Sequence, residues 1–171
     1  MMVPKEWRAV QNPWLRDDDL ARVLVLRGTI LWSYSHVERR ILDLAVRCSR
    51  TPEYRDIADK APFRRNARIS YVRKVLATDG PLSRYKRLGE AILDRYEQSA
   101  EVRNQMAHAD IDFLGHGLTR FTELTVDGNT IADRTLNFFP GDLERHAVKA
   151  ARLSKVVQRL HYAAFGDDPL G

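Results

Sequence analysis

Val23, Ile30, Tyr34, Val37, Ile41, Leu44 and Cys48 recur at multiples of three and four residues, the interval that lines one face of an α-helix. Asp17, Asp18 and Asp19 stand before this stripe, where carboxylates cap a helix and oppose its positive end. Thr51-Pro52 stops it. The pattern therefore predicts a first helix running to about Cys48, roughly 45 Å long at 1.5 Å per residue. Ala61-Pro62 opens a second helix, with Ile69, Val72 and Leu76 facing inward, and Asp79-Gly80-Pro81 closes it. Pro81 also begins a third, in which Tyr85, Leu88, Ile92, Tyr96, Ser99, Arg103 and Met106 continue one seam.

Beyond Asp110 the period changes. Residues 118 to 126 and 130 to 138 are rich in Thr, Leu, Val and Phe, and Asp127-Gly128 lies between them. Asp-Gly between two such runs predicts a hairpin, because the favoured tight turn needs positive φ at both central residues. Pro140-Gly141-Asp142 then starts a last helix whose Leu143, His146, Ala150, Leu153, Val157, Leu160 and Ala164 form an apolar stripe, ended by Gly166 and Pro169. The expected fold is mainly α: four to five helices in a bundle, with a small β-hairpin at about 118–138 inserted before the last long helix.

The 171 residues fit a single domain, 1–171, with a core of its own, and no repeat or linker divides them. With 44% hydrophobic and 30% charged residues the composition is that of a soluble globular protein. Met1 to Trp7 lacks an apolar run long enough for a signal peptide or a span, so a cytoplasmic location away from membranes is expected. Cys48, the one cysteine, excludes an internal disulfide and any multi-cysteine metal site, and its place on the apolar stripe makes it a core residue.

A net charge of +5 permits an anionic partner without demanding one. Its distribution is more informative, since Lys60, Arg64, Arg65, Arg68, Arg73 and Lys74 occupy a stretch from Lys60 to Thr78 that has no acidic residue. Such a block can hold phosphates and release counterions, or be a solvated helix face. Arg64, Arg65, Arg68, Arg73 and Lys74, with Arg39 and Arg40 of the first helix, are the candidate RNA-backbone contacts.

The candidate chemistry lies in Glu101-Val-Arg-Asn-Gln-Met-Ala-His-Ala-Asp110. Cleaving RNA without a metal requires a group to deprotonate the 2′-hydroxyl, another to protonate the leaving 5′-oxygen, and positive charge for the phosphorane between them. His108 can exchange protons near neutral pH. Arg103 offers a permanently charged planar fork to phosphate oxygens. Asn104, four residues before His108 on the same helix face, can hold the imidazole or donate to phosphate.

Arg103-Asn-Gln-Met-Ala-His108 resembles the signature of the HEPN (higher eukaryotes and prokaryotes nucleotide-binding) superfamily. The Leu31-to-Glu38 stretch in an earlier long helix, and a further helix after the motif, extend the resemblance over nearly the whole chain. It implies a HEPN-like bundle, no cofactor or metal, and a twofold homodimer in which two motifs share a cleft, one His108 acting as base and the other as acid. The expected products are 2′,3′-cyclic phosphate and 5′-hydroxyl ends. It also implies a toxin or antiphage-defence ribonuclease, with RNA as substrate and an antitoxin or regulatory protein as a further partner. Some HEPN toxins carry a Tyr two residues after the motif His for modification by a partner nucleotidyltransferase; Asp110 stands there, so that control is not expected.

Other readings stand beside this one. Arg103 can be architectural, paired with Glu38 or Glu97, and His108 can merely complement a helix C-terminus, leaving a non-catalytic module that binds RNA, nucleotide or a protein. His108, Asp110, Asp112 and His116 could hold a divalent metal if extended, although they match no established ligand spacing. No phosphate loop, nucleophile elbow or His-Glu-x-x-His occurs. Tyr34 and Tyr96 are expected in the core or an interface, His36 and His146 in structural roles, and His116 and His161 at the surface.

Overall fold

A computed structural model describes residues 17–58, 60–114, 117–127 and 130–166. Among them are five α-helices and one small antiparallel sheet placed before the last helix. Helix α1, Asp17–Cys48, takes the predicted span, and Ile30, Val37, Ile41, Leu44 and Cys48 of its stripe are buried. A 3₁₀ turn at Pro52–Tyr54 follows. Helix α2 is Arg65–Ala77, starting later than Pro62 predicts, with Ile69, Val72 and Leu76 buried as expected.

The predicted third helix is two. After a 3₁₀ turn at Ser83–Tyr85, α3 spans Lys86–Gln98 and α4 spans Ala100–His108. Ser99 separates them, with ψ at 0° and its hydroxyl donating to the Tyr96 carbonyl at 2.7 Å. A serine side chain that bonds its own backbone competes with helix propagation in this way. Most of the seam survives the break, with Ile92, Tyr96, Ser99, Arg103 and Met106 all buried, whereas Leu88 is exposed.

Strand β1, Asp110–Phe113, follows α4 directly and was not expected. It pairs with β2, Thr119–Asp127, which pairs with β3, Thr130–Phe138, in the order β1-β2-β3. The register opposes Asp127 to Thr130. The Asp127-Gly128 turn read from the sequence falls in part on residues 128 and 129, which lie outside the described residues. Phe121 and Phe138 bury themselves edge to face, 5.2 Å between ring centres. Gln105 of α4 ties the sheet to the bundle by donating to the Arg134 carbonyl at 3.1 Å.

Helix α5, Asp142–Phe165, is bounded by Gly141 at φ 84° and Gly166 at φ 73°. Both need the left-handed backbone that glycine adopts without steric cost. Leu143, Ala150, Leu153, Val157 and Leu160 are buried as the stripe predicts. Contacts between α1 and α5 keep a constant offset: His36 meets Ser154 and Asp43 meets His161, each pair 118 residues apart. The two helices therefore run parallel. Arg27 donates to the Met106 carbonyl while Tyr34 lies against Arg103, so α4 runs opposite to α1. Among the described residues no helix is long and apolar enough to cross a membrane.

Candidate functional site

Helix α4 carries the motif and turns its members in two directions. Arg103 faces the bundle, 8% exposed, with its guanidinium carbon 4.0 Å from the centre of the Tyr96 ring and 5.8 Å from that of Tyr34. Its Nε has no hydrogen-bond partner, and no carboxylate pairs with it among the described residues. Glu97 is instead engaged with Arg73 at 2.5 Å, alongside Asp94 at 2.7 Å. Burial pushes the Tyr96 phenol up, while the positive charges of Arg103 and Arg65 pull against that rise and Glu38 adds to it. Arg65 from the basic block and Arg103 from the motif thus converge electrostatically on one tyrosine.

Asn104 and His108 lie on the outer face of α4. Both are exposed, and neither makes a side-chain hydrogen bond or ion pair among the described residues. The four-residue spacing puts them side by side on the helix. The five-residue step from Arg103 to His108 separates the cation from the imidazole by roughly 140° of helix rotation. One chain brings Asn104 and His108 together and turns Arg103 away from them.

The basic stretch divides in the same manner. Arg39, Arg64, Arg65 and Lys74 are exposed. Arg68 is buried and donates to the Phe63 carbonyl at 2.9 Å, and Arg73 is held by its two carboxylates. Arg40 is 3% exposed with its Nε unpartnered. Arg40 and Arg68 are thus not surface phosphate contacts as placed here: long side chains on a helix fold their stems against apolar neighbours, and the sequence pattern does not reveal which ones do.

The histidines depart from expectation at one position. His161 is fully buried, bonded through Nε2 to Asp43, with Nδ1 unpartnered. Its pKa is lowered by burial, against the pull of Asp43. It lies one residue beyond Leu160 on a helix packed on two sides, so the single-stripe reading put it at the surface. His116 lies outside the described residues. His36 bonds Ser154 Oγ at 2.6 Å and stacks with Trp32, and His146 packs edge-on against Phe138. Burial lowers both of their pKa values, reinforced for His36 by Arg40 and Arg39 and for His146 by Lys149. Among the described residues no three His, Cys, Asp or Glu side chains converge as metal ligands. The Cys48 thiol is buried, which pushes its pKa up to about 12.

One concave feature escaped the sequence reading: a cleft of about 470 Å³ where α1, the α3–α4 junction and α5 meet. Arg95, Lys149 and Arg152 line it with His146, Gln98 and Tyr34, and no carboxylate is among its walls. The sequence held a faint signal in Arg95/Gln98 and Lys149/Arg152, two pairs three residues apart on helices. That the two pairs face each other is a tertiary fact.

No family model matches the chain, and comparison with curated proteins and with solved structures likewise gives no match.

Proposed function

We propose that this chain is a metal-independent endoribonuclease of the HEPN type, working as a homodimer. The observation that carries the reading is the exposure of Asn104 and His108 side by side, with no protein partner among the described residues, one helical step from an arginine that no carboxylate neutralises. His108 takes the 2′-hydroxyl proton, the 2′-oxygen attacks phosphorus, and the bond to the 5′-oxygen breaks as that oxygen receives a proton. The products are a 2′,3′-cyclic phosphate and a 5′-hydroxyl. Asn104 donates to the phosphate or steadies the imidazole, and Arg103 supplies positive potential.

Because Arg103 and His108 diverge within one chain, a second copy completes the site: its His108 supplies the acid opposite the first copy's base. Exposed Arg39, Arg64, Arg65 and Lys74 hold the RNA backbone. Such an enzyme acts in the cytoplasm as a toxin or antiphage nuclease restrained by an antitoxin or regulatory protein. A second reading draws on the stacking of Arg103 between two tyrosines: a non-catalytic module in which that cation is architectural.

The test is incubation of the purified protein with total RNA and tRNA in excess EDTA, with wild type beside His108→Ala and Arg103→Ala at matched folding. Cleavage by wild type alone, leaving cyclic phosphate ends, is the expected result. Intact RNA with wild type, or cleavage that persists in His108→Ala, overturns the nuclease reading in favour of the binding module.

A further inference from the structure

Two stretches of chain that lack acidic residues pack side by side. Residues 20–37 of α1 and 145–166 of α5 contain no Asp or Glu, and the second carries Arg145, Lys149, Arg152, Lys155 and Arg159. Two ties fix how the helices meet on one flank: Arg22 pairs with Glu144, and His36 Nδ1 meets Ser154 Oγ at 2.6 Å. Val25 and Val148 each stand one turn past the first tie, and Trp32 stands one turn before the second, stacked on His36 with ring centres 5.7 Å apart. All three are exposed, Trp32 at 68%, and form an apolar patch that neither helix covers. Val25, Trp32 and Arg39 recur every seven residues, and Val148, Arg152, Lys155 and Arg159 share the outer face of α5 at helical spacing. The four cations are exposed and border the patch. The nearest carboxylates are engaged, Glu144 with Arg22 and Asp43 with His161, while Glu38 acts on Tyr96 at the other flank of α1.

We propose that this α1–α5 face docks peripherally on an anionic lipid membrane. An exposed indole has an apolar body and a polar N–H, which suits it to the headgroup layer, and neighbouring cations are drawn to acidic headgroups. Trp32, Val25 and Val148 enter that layer, and Arg39, Arg152, Lys155 and Arg159 hold lipid phosphates. A protein partner would seat an anchor side chain in a recess. Here the large aromatic ring projects outward from the face, as surfaces that settle on bilayers do. Attachment of this kind needs no spanning helix, and it sets a membrane surface in place of the location away from membranes expected from the sequence. Helix α4 lies on the other flank of α1, where Arg27 and Tyr34 meet it. Trp32 is roughly 160° around the helix from Tyr34. Docking therefore leaves the motif helix turned away from lipid, and the inference goes beyond the nuclease reading and stands whether or not RNA is cleaved.

Flotation of the full chain with lipid vesicles tests the proposal, with pure phosphatidylcholine beside an equimolar mixture of phosphatidylcholine and phosphatidylglycerol. Wild type should float with the anionic vesicles and not with the neutral ones, and raised salt should release it. Trp32→Ala should weaken the partition about tenfold, and Arg152→Ala and Lys155→Ala about fivefold each, the share of one cation near an anionic surface. Leu124→Ala and Arg87→Ala, which remove an exposed apolar side chain of β2 and an exposed cation of α3, should leave it within about twofold. All these side chains are exposed, so the variants should fold, and an unchanged melting temperature confirms it. Failure of wild type to float with anionic vesicles at low salt overturns the proposal, as does binding that Trp32→Ala leaves intact or that the two control changes weaken equally. An acidic amphipathic peptide that binds wild type and not Trp32→Ala, while vesicles stay unbound, assigns the face to a protein partner instead.

Discussion

The guanidinium of Arg103 lies over the ring of Tyr96, 4.0 Å from its centre, with Tyr34 on its flank at 5.8 Å. A buried cation on two aromatic faces is stabilised by their quadrupoles and by the packing of its stem. Arg103→Ala should therefore cost about 2 kcal/mol, or roughly 4–8 °C of melting temperature in a chain of this size. Thermal unfolding followed by circular dichroism measures this. A shift under about 1 °C would show the stacking to be energetically idle.

Asn104 and His108 should behave in the opposite way. Both are exposed and unpartnered among the described residues, and surface changes of that kind stay within about 0.5 kcal/mol. His108→Ala and Asn104→Ala should leave unfolding unchanged while removing metal-free RNA cleavage. A large loss of stability in either variant would assign these side chains to architecture.

Tyr54 gives a sharper packing test. It is 1% exposed, and its hydroxyl accepts the Leu82 backbone N–H at 2.9 Å, tying the turn after α1 to the loop before α3. Tyr54→Phe leaves that buried N–H without an acceptor, a loss of about 1–3 kcal/mol. Chemical denaturation should show a lower midpoint with an unchanged slope. An unchanged midpoint would mean that water replaces the hydroxyl.

Acid should weaken the fold before the carboxylates titrate. His36, His146 and His161 all have folded pKa values below 6.5, with burial the largest cause of each. The unfolded chain then binds more protons than the folded one below about pH 6.5, so stability is present above that value and is lost as pH falls through the histidine range. Melting temperature should drop between about pH 7 and pH 5.5, with a smaller drop in His161→Phe if its burial contributes. A flat profile would refute the lowered pKa values of these imidazoles.

The long elements were legible because each buries a regular stripe: α1 ends at Cys48 as read, and α5 begins at Asp142 as read. The break at Ser99 was not, because one hydroxyl turning onto the Tyr96 carbonyl changes no periodicity. Four residues of β1 are too few to show an alternation, and the strand exists through its pairing with β2. At the motif, spacing alone gave the angle between Arg103 and His108. The seam through Ile92, Tyr96 and Met106 also put Arg103 on the packed face; that its partners there are the rings of Tyr34 and Tyr96, and not Glu38 or Glu97, depended on separate helices meeting. The basic block was read by charge, and charge does not distinguish exposed Arg65 from buried Arg68. The cleft was invisible for the same reason, since its cations come from α3 and α5.

Helix α1 packs in parallel against α5, through contacts spanning 118 residues of chain. During synthesis, the apolar face that Ile30, Val37, Ile41 and Leu44 present must wait until Asp142–Phe165 leaves the ribosome before it meets this partner helix. Contacts of such long range slow folding and prolong the exposure of sticky surface. A nascent chain stalled before Asp142 would hold an unfinished core, so completion of the last helix acts as the timing step that turns the chain into a folded protein.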